Sequence, residues 1–223
     1  MKKKIYLVFF FAFLIILLLI TPCLRSENSS SEITKISETN YKIGKAYLDT
    51  AKGSVTLNGW VNMSEGLVEL LACGPNGKRH ESVLVIDVEP YHLQVALLML
   101  GLEPGGGLLF QGDPRTPTGD SLYVYVSWDE CDGDHIHVRG EDLVYNVIEK
   151  RTMTHTAWVF SGSRFVNGMF VAAIEQSYIT TFHDPNTIID NPLSTGADDT
   201  LYEVNRNLVP PENTPVTIEL IKP

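Results

Sequence analysis

The sequence predicts a β-rich α+β domain, with antiparallel or mixed sheets around one buried core helix at about residues 90–101 and short helical turns elsewhere. Many short runs of β-branched and aromatic residues, separated by Gly, Pro, Asn and Asp, indicate strands. Val83–Ile86 is apolar at four consecutive positions, which is typical of a central strand covered on both faces. Tyr91–Leu100 contains only two polar residues, His92 and Gln94, and a helix that is apolar nearly all round is buried on most sides.

Alternating or continuous apolar runs, bounded by turn residues, place the individual strands. In chain order they are predicted at Lys42–Leu48, Ser54–Leu57, Gly66–Cys73, Ser82–Val88, Ser121–Trp128, His135–Arg139, Thr156–Ser161, Met169–Ile174, Tyr178–Phe182 and Pro215–Ile221. Many short strands with one apolar helix are the reason for the α+β assignment.

The core helix begins at Pro90, where a missing backbone N–H costs little, and ends at Gly101. Glu141–Glu149 is predicted as a second, short helix. Glu103–Gly119 is a Gly- and Pro-rich loop of seventeen residues, a length that is often functional. Asn191–Asn213 is predicted as a loop-like tail before the last strand.

Composition and charge limit the class of protein. The chain has 223 residues, of which 44% are hydrophobic and 20% charged, as in globular proteins. The formal net charge is −10, and it becomes −13 without Lys2, Lys3 and Lys4. An acidic body argues against nucleic acid as a partner and against electrostatic adhesion to anionic lipid.

The N-terminus has the pattern of an export signal or membrane anchor. Three lysines precede Ile5–Ile20, sixteen apolar residues without a break. We therefore expect residues 1–23 to be a signal peptide or N-terminal anchor, residues 24–40 a flexible tether, and residues 41–223 one globular domain. The lysines keep the N-terminus cytoplasmic, so the domain is expected outside the cytoplasm, in a bacterial envelope.

Cys23 lies just past the apolar run and before a Ser-rich stretch, where the lipidated cysteine of a bacterial lipoprotein would lie. Pro22 is a poor residue directly before such a cysteine. A lipoprotein, an uncleaved anchor and a secreted protein all remain open at this point. Cys73 and Cys131 would pair or stay free, and the sequence does not decide between these states.

The stretch Gly74-Pro75-Asn76-Gly77 is a turn signal that predicts a hairpin between the strands on either side. A two-residue Asn-Gly loop would place Cys73 opposite His80, but Pro75 would then lack the N–H that the closing pair needs. A type I turn with Pro75 at its second position avoids that loss and is favoured. It would pair Ala72 with His80 and point Cys73 and His80 to opposite faces.

The run EGLVELLACGPNGKRHESVLVIDVEPYHLQVALLMLGLEPG resembles the core of the YdjY-domain family of exported bacterial proteins. Shorter pieces at Trp158–Ser163, Asp184–Pro192 and Thr214–Thr217 are also similar, so the resemblance covers most of Ser54–Pro223. It implies an extracytoplasmic domain without a settled activity. Some members carry ferredoxin-like names, but an all-cysteine iron–sulfur cluster needs four cysteines and this chain has three.

The most concentrated reactive side chains are Lys78, Arg79, His80 and Glu81, with Cys73 just before them. Together they are candidates for a ligand-binding site. His80 and Glu81 are also candidate ligands of a divalent metal, because imidazole and carboxylate are common metal ligands. A hairpin rim whose side chains bond nearby backbone is the simpler interpretation.

His135 and His137 form a weaker candidate for a metal site. Their spacing places two imidazoles on one face of a strand, which can bind a transition metal. Zinc would need a third or fourth ligand, which the sequence does not identify.

These observations favour a non-enzymatic, envelope-tethered domain that binds a small ligand or an envelope protein and reaches the membrane through its N-terminus. No dinucleotide fingerprint or phosphate loop is present, and no catalytic residue is assigned. The alternative is a metal-binding redox accessory or metal-dependent enzyme that uses His80, Glu81 and Cys73. The contact surface is expected around the 103–119 loop and the His80 hairpin.

Overall fold

The computed structural model describes residues 32–223, which form one unit dominated by β-structure. The strands are β1 (Ile33–Lys35), β2 (Asn40–Ile43), β3 (Ala46–Asp49), β4 (Ser54–Val61), β5 (Leu70–Cys73), β6 (Ser82–Ile86), β7 (Pro104–Gly106), β8 (Thr118–Gly119), β9 (Ser121–Asp129), β10 (His135–Arg139), β11 (Val144–Asn146), β12 (Arg151–Thr152), β13 (Trp158–Phe160), β14 (Phe165–Val166), β15 (Met169–Phe170), β16 (Ser177–Thr180), β17 (Ile189–Asp190), β18 (Tyr202–Val204) and β19 (Pro215–Ile221). The α-helices of this part of the chain are α1 (Pro90–Met99) and α2 (Val171–Glu175). Short 3-10 helices span Arg79–Glu81, Gly140–Leu143 and Ser194–Ala197.

A closed barrel of eight strands is the centre of the fold. Its strands follow one another in the order β4, β19, β9, β13, β17, β16, β5 and β6, and the pairing of β6 with β4 closes the ring. The α+β prediction of sheets around a buried core helix is therefore wrong, since the core lies inside a barrel. Closure gives every barrel strand two hydrogen-bonded neighbours, and inward side chains such as Leu57, Val124 and Leu220 are fully buried.

Helix α1 has nearly the predicted boundaries but not the predicted burial. Leu93, Ala96 and Leu97 pack against the core, whereas Tyr91 and Leu98 are about half exposed. The helix contacts β2 and β3, which extend the sheet beyond the barrel. The sequence predicts burial on most sides because the helix is apolar nearly all round. The face that carries Tyr91 and Leu98 is instead about half exposed.

Strands β5 and β6 run parallel, which overturns the predicted hairpin. Cys73 lies opposite Val85, and Leu70 lies opposite Ser82. Neither of the two proposed turn registers exists, because residues 74–81 form a crossover that returns the chain to the start of β5. A turn does lie at residues 74–77, as the sequence predicts. The direction of β6, however, is set by its pairing within the barrel.

Several local predictions hold and others change. Strand β9 alternates between buried and partly buried residues and pairs with β10 as a hairpin, as predicted. The predicted strand Lys42–Leu48 is broken by a turn at Gly44, which has a positive φ, into β2 and β3. The predicted helix Glu141–Glu149 is wrong, since a 3-10 turn there leads into β11. Strand β1 lies within the predicted tether and pairs with β2.

Residues 1–31 fall outside the described part of the chain. The predicted anchor, its lipidation candidate Cys23 and residues 24–31 of the tether therefore keep the standing of sequence predictions. Among residues 32–223, no helix combines the length and the hydropathy needed to cross a bilayer.

Candidate functional site

The predicted Lys-Arg-His-Glu cluster forms an ion-pair network on the crossover. Lys78 Nζ lies 3.1 Å from Glu69 Oε2 and 2.8 Å from Glu81 Oε1. Burial raises the pKa of Glu69. Burial by itself would lower the pKa of Lys78, but its hydrogen bonds to Glu81 and Glu69 outweigh this and raise it. The network joins the crossover to the segment before β5, which is a structural role.

The other members of that cluster point in different directions. His80 is largely exposed, with its Nε2 3.5 Å from Glu81 Oε2. Arg79 Nε donates to Asn62 Oδ1 at 2.9 Å. Cys73 is fully buried, and burial raises the pKa of its thiol, so a reactive thiolate is disfavoured there. The structure thus does not gather Cys73 and His80 at one surface.

The second candidate pair does lie on one strand face. His135 and His137 are both exposed on β10. His135 Nδ1 lies 2.7 Å from Asp129 Oδ1, and the ring of His137 packs at 5.0 Å from that of Tyr125. Across residues 32–223, no group of three or more His, Cys, Asp or Glu side chains is arranged to hold a metal ion.

The long 103–119 loop is held by a polar cluster that sequence reasoning missed. Asp113 is buried and accepts hydrogen bonds from the guanidinium of Arg115 and from the backbone N–H of Leu109. The hydrogen bonds from Arg115 keep the pKa of Asp113 well below its usual range. His183, also buried, contacts the backbone carbonyl of Asp113 through Nδ1 at 2.6 Å. These contacts fix the loop rather than leave it free to move.

A second part of the same cluster surrounds Asp190, which is fully buried. Its carboxylate accepts hydrogen bonds from Thr180 Oγ1 and from the backbone N–H groups of Asp184 and Asn191. Burial raises the pKa of Asp190 well above the usual range despite these three donors. The carboxylate, on β17, joins β16 to the turn that follows β16, and it does not line the cleft described below.

A cleft of about 740 Å³ opens between two segments that are far apart in sequence. One wall is the loop of the β9–β10 hairpin, residues 129–132, and the other is the proline-rich segment 207–215. Trp128 lines the cleft and is 4% exposed. A volume of this order fits a small molecule, since ligand pockets span about 300–1,000 Å³.

Each wall of the cleft is fixed by backbone hydrogen bonds. In the hairpin loop, Glu130 N–H donates to Asp134 O at 2.8 Å, and Gly133 adopts a positive φ that permits the tight turn. The proline-rich segment is bound to β4, because Asn213 N–H donates to Val61 O and Val61 N–H donates to Thr214 O. Hydrogen bonds within the protein thus hold the backbone of both walls in place.

The chemistry of the cleft is apolar within and acidic at its edge. Its apolar lining comes from Trp128, Leu208, Val209, Pro210, Pro211 and Pro215. The hairpin loop contributes three carboxylates, from Asp129, Glu130 and Asp132, and the exposed thiol of Cys131. An apolar cavity with a negatively charged edge complements a ligand that has an apolar body and a positive charge.

Sequence reasoning did not find this cleft. The sequence places the segment 207–215 at the end of a loop-like tail and the start of the last strand, and Trp128 at the end of the predicted strand Ser121–Trp128. The sequence does show three prolines close together, Pro210, Pro211 and Pro215, but nothing near them indicates which segment they contact. Only the pairing of β19 with β9 brings that segment beside the hairpin loop.

Comparison with known proteins supports the resemblance noted in the sequence. Neither the curated proteins nor the solved structures contain a match to this chain. The model of the YdjY domain matches residues 47–221, which include all eight barrel strands and both walls of the cleft. The chain therefore belongs to the YdjY domain family.

Proposed function

We propose that this YdjY-domain protein is an envelope-tethered, extracytoplasmic binding module, and that its ligand is an organic cation with an apolar body. The observation that carries the proposal is the cleft between residues 129–132 and 207–215. The prolines offer rigid apolar surface, and the three carboxylates favour a positive charge at the edge.

The tethered location rests on the N-terminal pattern. Three lysines, sixteen apolar residues and then Cys23 are the order found in exported and membrane-anchored bacterial proteins. The acidic body of the chain gives the domain no electrostatic attraction to anionic lipid headgroups, because like charges repel.

The metal-dependent alternative gains no support from the geometry. His80 has one acidic neighbour, Glu81, which Lys78 already engages as an ion pair. His135 also has one acidic neighbour, Asp129. We therefore carry forward the binding module and not the metal-dependent enzyme.

Calorimetric titration of the purified full chain tests the ligand class. The probe is benzyltrimethylammonium, which has an aromatic body and a fixed positive charge, and benzyl alcohol serves as its neutral counterpart. We expect saturable binding of the cation and weaker binding of the alcohol. In the double variant Glu130→Gln, Asp132→Asn, the loss of two pairs worth roughly 0.5 kcal/mol each should weaken binding about fivefold.

The matched control is the double variant Glu38→Gln, Glu103→Gln. It removes the same amount of charge from exposed positions that do not line the cleft. Equal weakening in the two double variants would show a general charge effect, and the absence of any saturable heat would remove the proposed ligand class.

A further inference from the structure

The exposed face of α1 continues into an apolar hairpin. Tyr91 on the helix packs against Phe170, with ring centroids 4.9 Å apart, and Phe170 packs against Phe165 at 5.3 Å. Phe170 is buried, whereas Phe165 on the neighbouring strand is 65% exposed. The helix and the β14–β15 hairpin therefore form one surface, which we call the α1–hairpin face.

Large uncharged side chains dominate this face. The helices and the hairpin together carry seven exposed ones: Tyr91, Leu98 and Met99 from α1, Phe165, Val166 and Met169 from the hairpin, and Ile174 from α2. Tyr91 and Leu98 are seven positions apart and so lie on the same side of the helix. A helix that is apolar nearly all round is normally covered on every side, but on this side Tyr91 and Leu98 remain about half exposed.

The hairpin presents apolar side chains on both of its faces. Phe165 pairs with Phe170, and Val166 pairs with Met169. Consecutive strand residues point to opposite faces, so Phe165 and Val166 point in opposite directions. Asn167 and Gly168 both have positive φ, as in the rigid type I′ turn of two-residue hairpins. A rigid tip with apolar residues on both faces is suited to insertion into an apolar medium rather than to flat packing.

The path of the chain indicates which medium this is. The first described residue, Glu32, is held against the same helix, with its Oε2 3.0 Å from His92 Nε2. Its backbone carbonyl also accepts a hydrogen bond from Gly44 N–H. His92 belongs to α1, so the segment that carries the predicted anchor precedes a residue that is held on this helix.

The reach of that segment is short. Eleven residues separate Ile20, the end of the apolar run, from Glu32. Fully extended, a segment of this length spans at most about 40 Å. A domain attached in this way would meet the bilayer repeatedly, so that even weak insertion would be favoured by a high effective concentration.

We propose that the α1–hairpin face inserts into the lipid bilayer, with Phe165, Val166 and Met169 entering the boundary of the hydrocarbon region. The inference rests on the membrane attachment proposed above and not on the ligand cleft. The net negative charge of the chain implies that insertion depends on apolar contact, so it should occur on zwitterionic lipid and vary little with salt.

Photolabelling of the full chain tests this inference. The chain is reconstituted into phosphatidylcholine vesicles that contain a lipid with a photoactivatable acyl chain, and labelled residues are located by peptide mass spectrometry. We expect label in residues 165–170 and 91–99. In the double variant Phe165→Ser, Met169→Ser, the amount of label in the hairpin should fall at least about fivefold. The control is Ile148→Ser, which changes an exposed apolar residue on the β11–β12 connection and should leave the hairpin label unchanged.

The labelled positions separate the possible outcomes. Label in residues 5–20 but not in 91–99 or 165–170 would overturn the insertion and leave the membrane attachment intact. Equal label around Ile148 would also overturn it, because the face would then have no special access to lipid. Photo-cross-linking between copies through residues 165–170, without lipid label, would assign the face to a second copy of the chain and refute the proposal.

Discussion

The substitution Gly59→Ala should open the seam at which the barrel closes. Gly59 lies in β4 opposite Ile86 of β6, and this pairing is the one that completes the ring. A Cβ at position 59 would lie 2.2 Å from the backbone oxygen of Val85 and 3.2 Å from Cδ1 of Ile218. The Ile218 side chain can rotate away, but the Val85 oxygen belongs to the backbone of β6, so the two strands must separate.

The expected cost follows from that separation. Forcing extra volume into a packed site costs about 1–3 kcal/mol. Loss of two interstrand hydrogen bonds beside the seam adds about 1 kcal/mol each. A total of about 4 kcal/mol is a large part of the roughly 5–15 kcal/mol that stabilises a typical domain. At about 2–4 °C per kcal/mol for a domain of this size, Tm should fall by roughly 8–16 °C.

Thermal and urea unfolding followed by circular dichroism measure this change. Asn58→Ala is the matched control, because Asn58 precedes Gly59 on the same strand and its side chain is exposed. It should change the free energy of unfolding by less than about 0.5 kcal/mol. If Gly59→Ala unfolds within about 2 °C of the unmodified chain, strands β4 and β6 are not paired in solution and the closed barrel is incorrect.

Three further predictions concern buried polar groups and thiols. Burial raises the pKa of Asp190, so its contribution to stability is complete below the unfolded pKa of about 3.9 and is lost as pH rises through the folded pKa. Asp190→Asn should therefore flatten the fall in unfolding free energy between acidic and neutral pH, and an unchanged slope would contradict the raised pKa. Glu141 is fully buried and accepts hydrogen bonds from Arg139 Nη2 at 2.7 Å and from the backbone N–H of Thr156 at 2.8 Å. Glu141→Ala should lower the free energy of unfolding in urea by about 3 kcal/mol, because it removes the carboxylate that pairs with the guanidinium of Arg139, whose side chain is only 17% exposed, and a loss below about 1 kcal/mol would show that solvent replaces the pair. A maleimide should modify the exposed Cys131 of the folded protein within minutes and reach Cys73 only on unfolding, as read by mass spectrometry, and rapid modification of Cys73 would show that β5 is not buried.

The sequence by itself determined the family, most turns and several element boundaries. Pro90 and Gly101 bracket α1 because proline fits the first turn of a helix and glycine its end. The alternation along β9 predicted a strand with one buried face, and the hairpin with β10 followed from the turn residues between them. These features depend on residues that are close together in the chain, so local physical chemistry was sufficient.

Only the tertiary structure decided which segments are neighbours. The apolar run in β6 predicted burial on both faces, but not that β6 runs parallel to β5 and closes a barrel against β4. The apolar sequence of α1 predicted burial, but the barrel interior is filled by strand side chains, so the helix packs outside with one face about half exposed. Hydrophobic periodicity reports which residues avoid water and not which segment covers them. For that reason the cleft, whose walls are about eighty residues apart in the chain, could be found only in the folded protein.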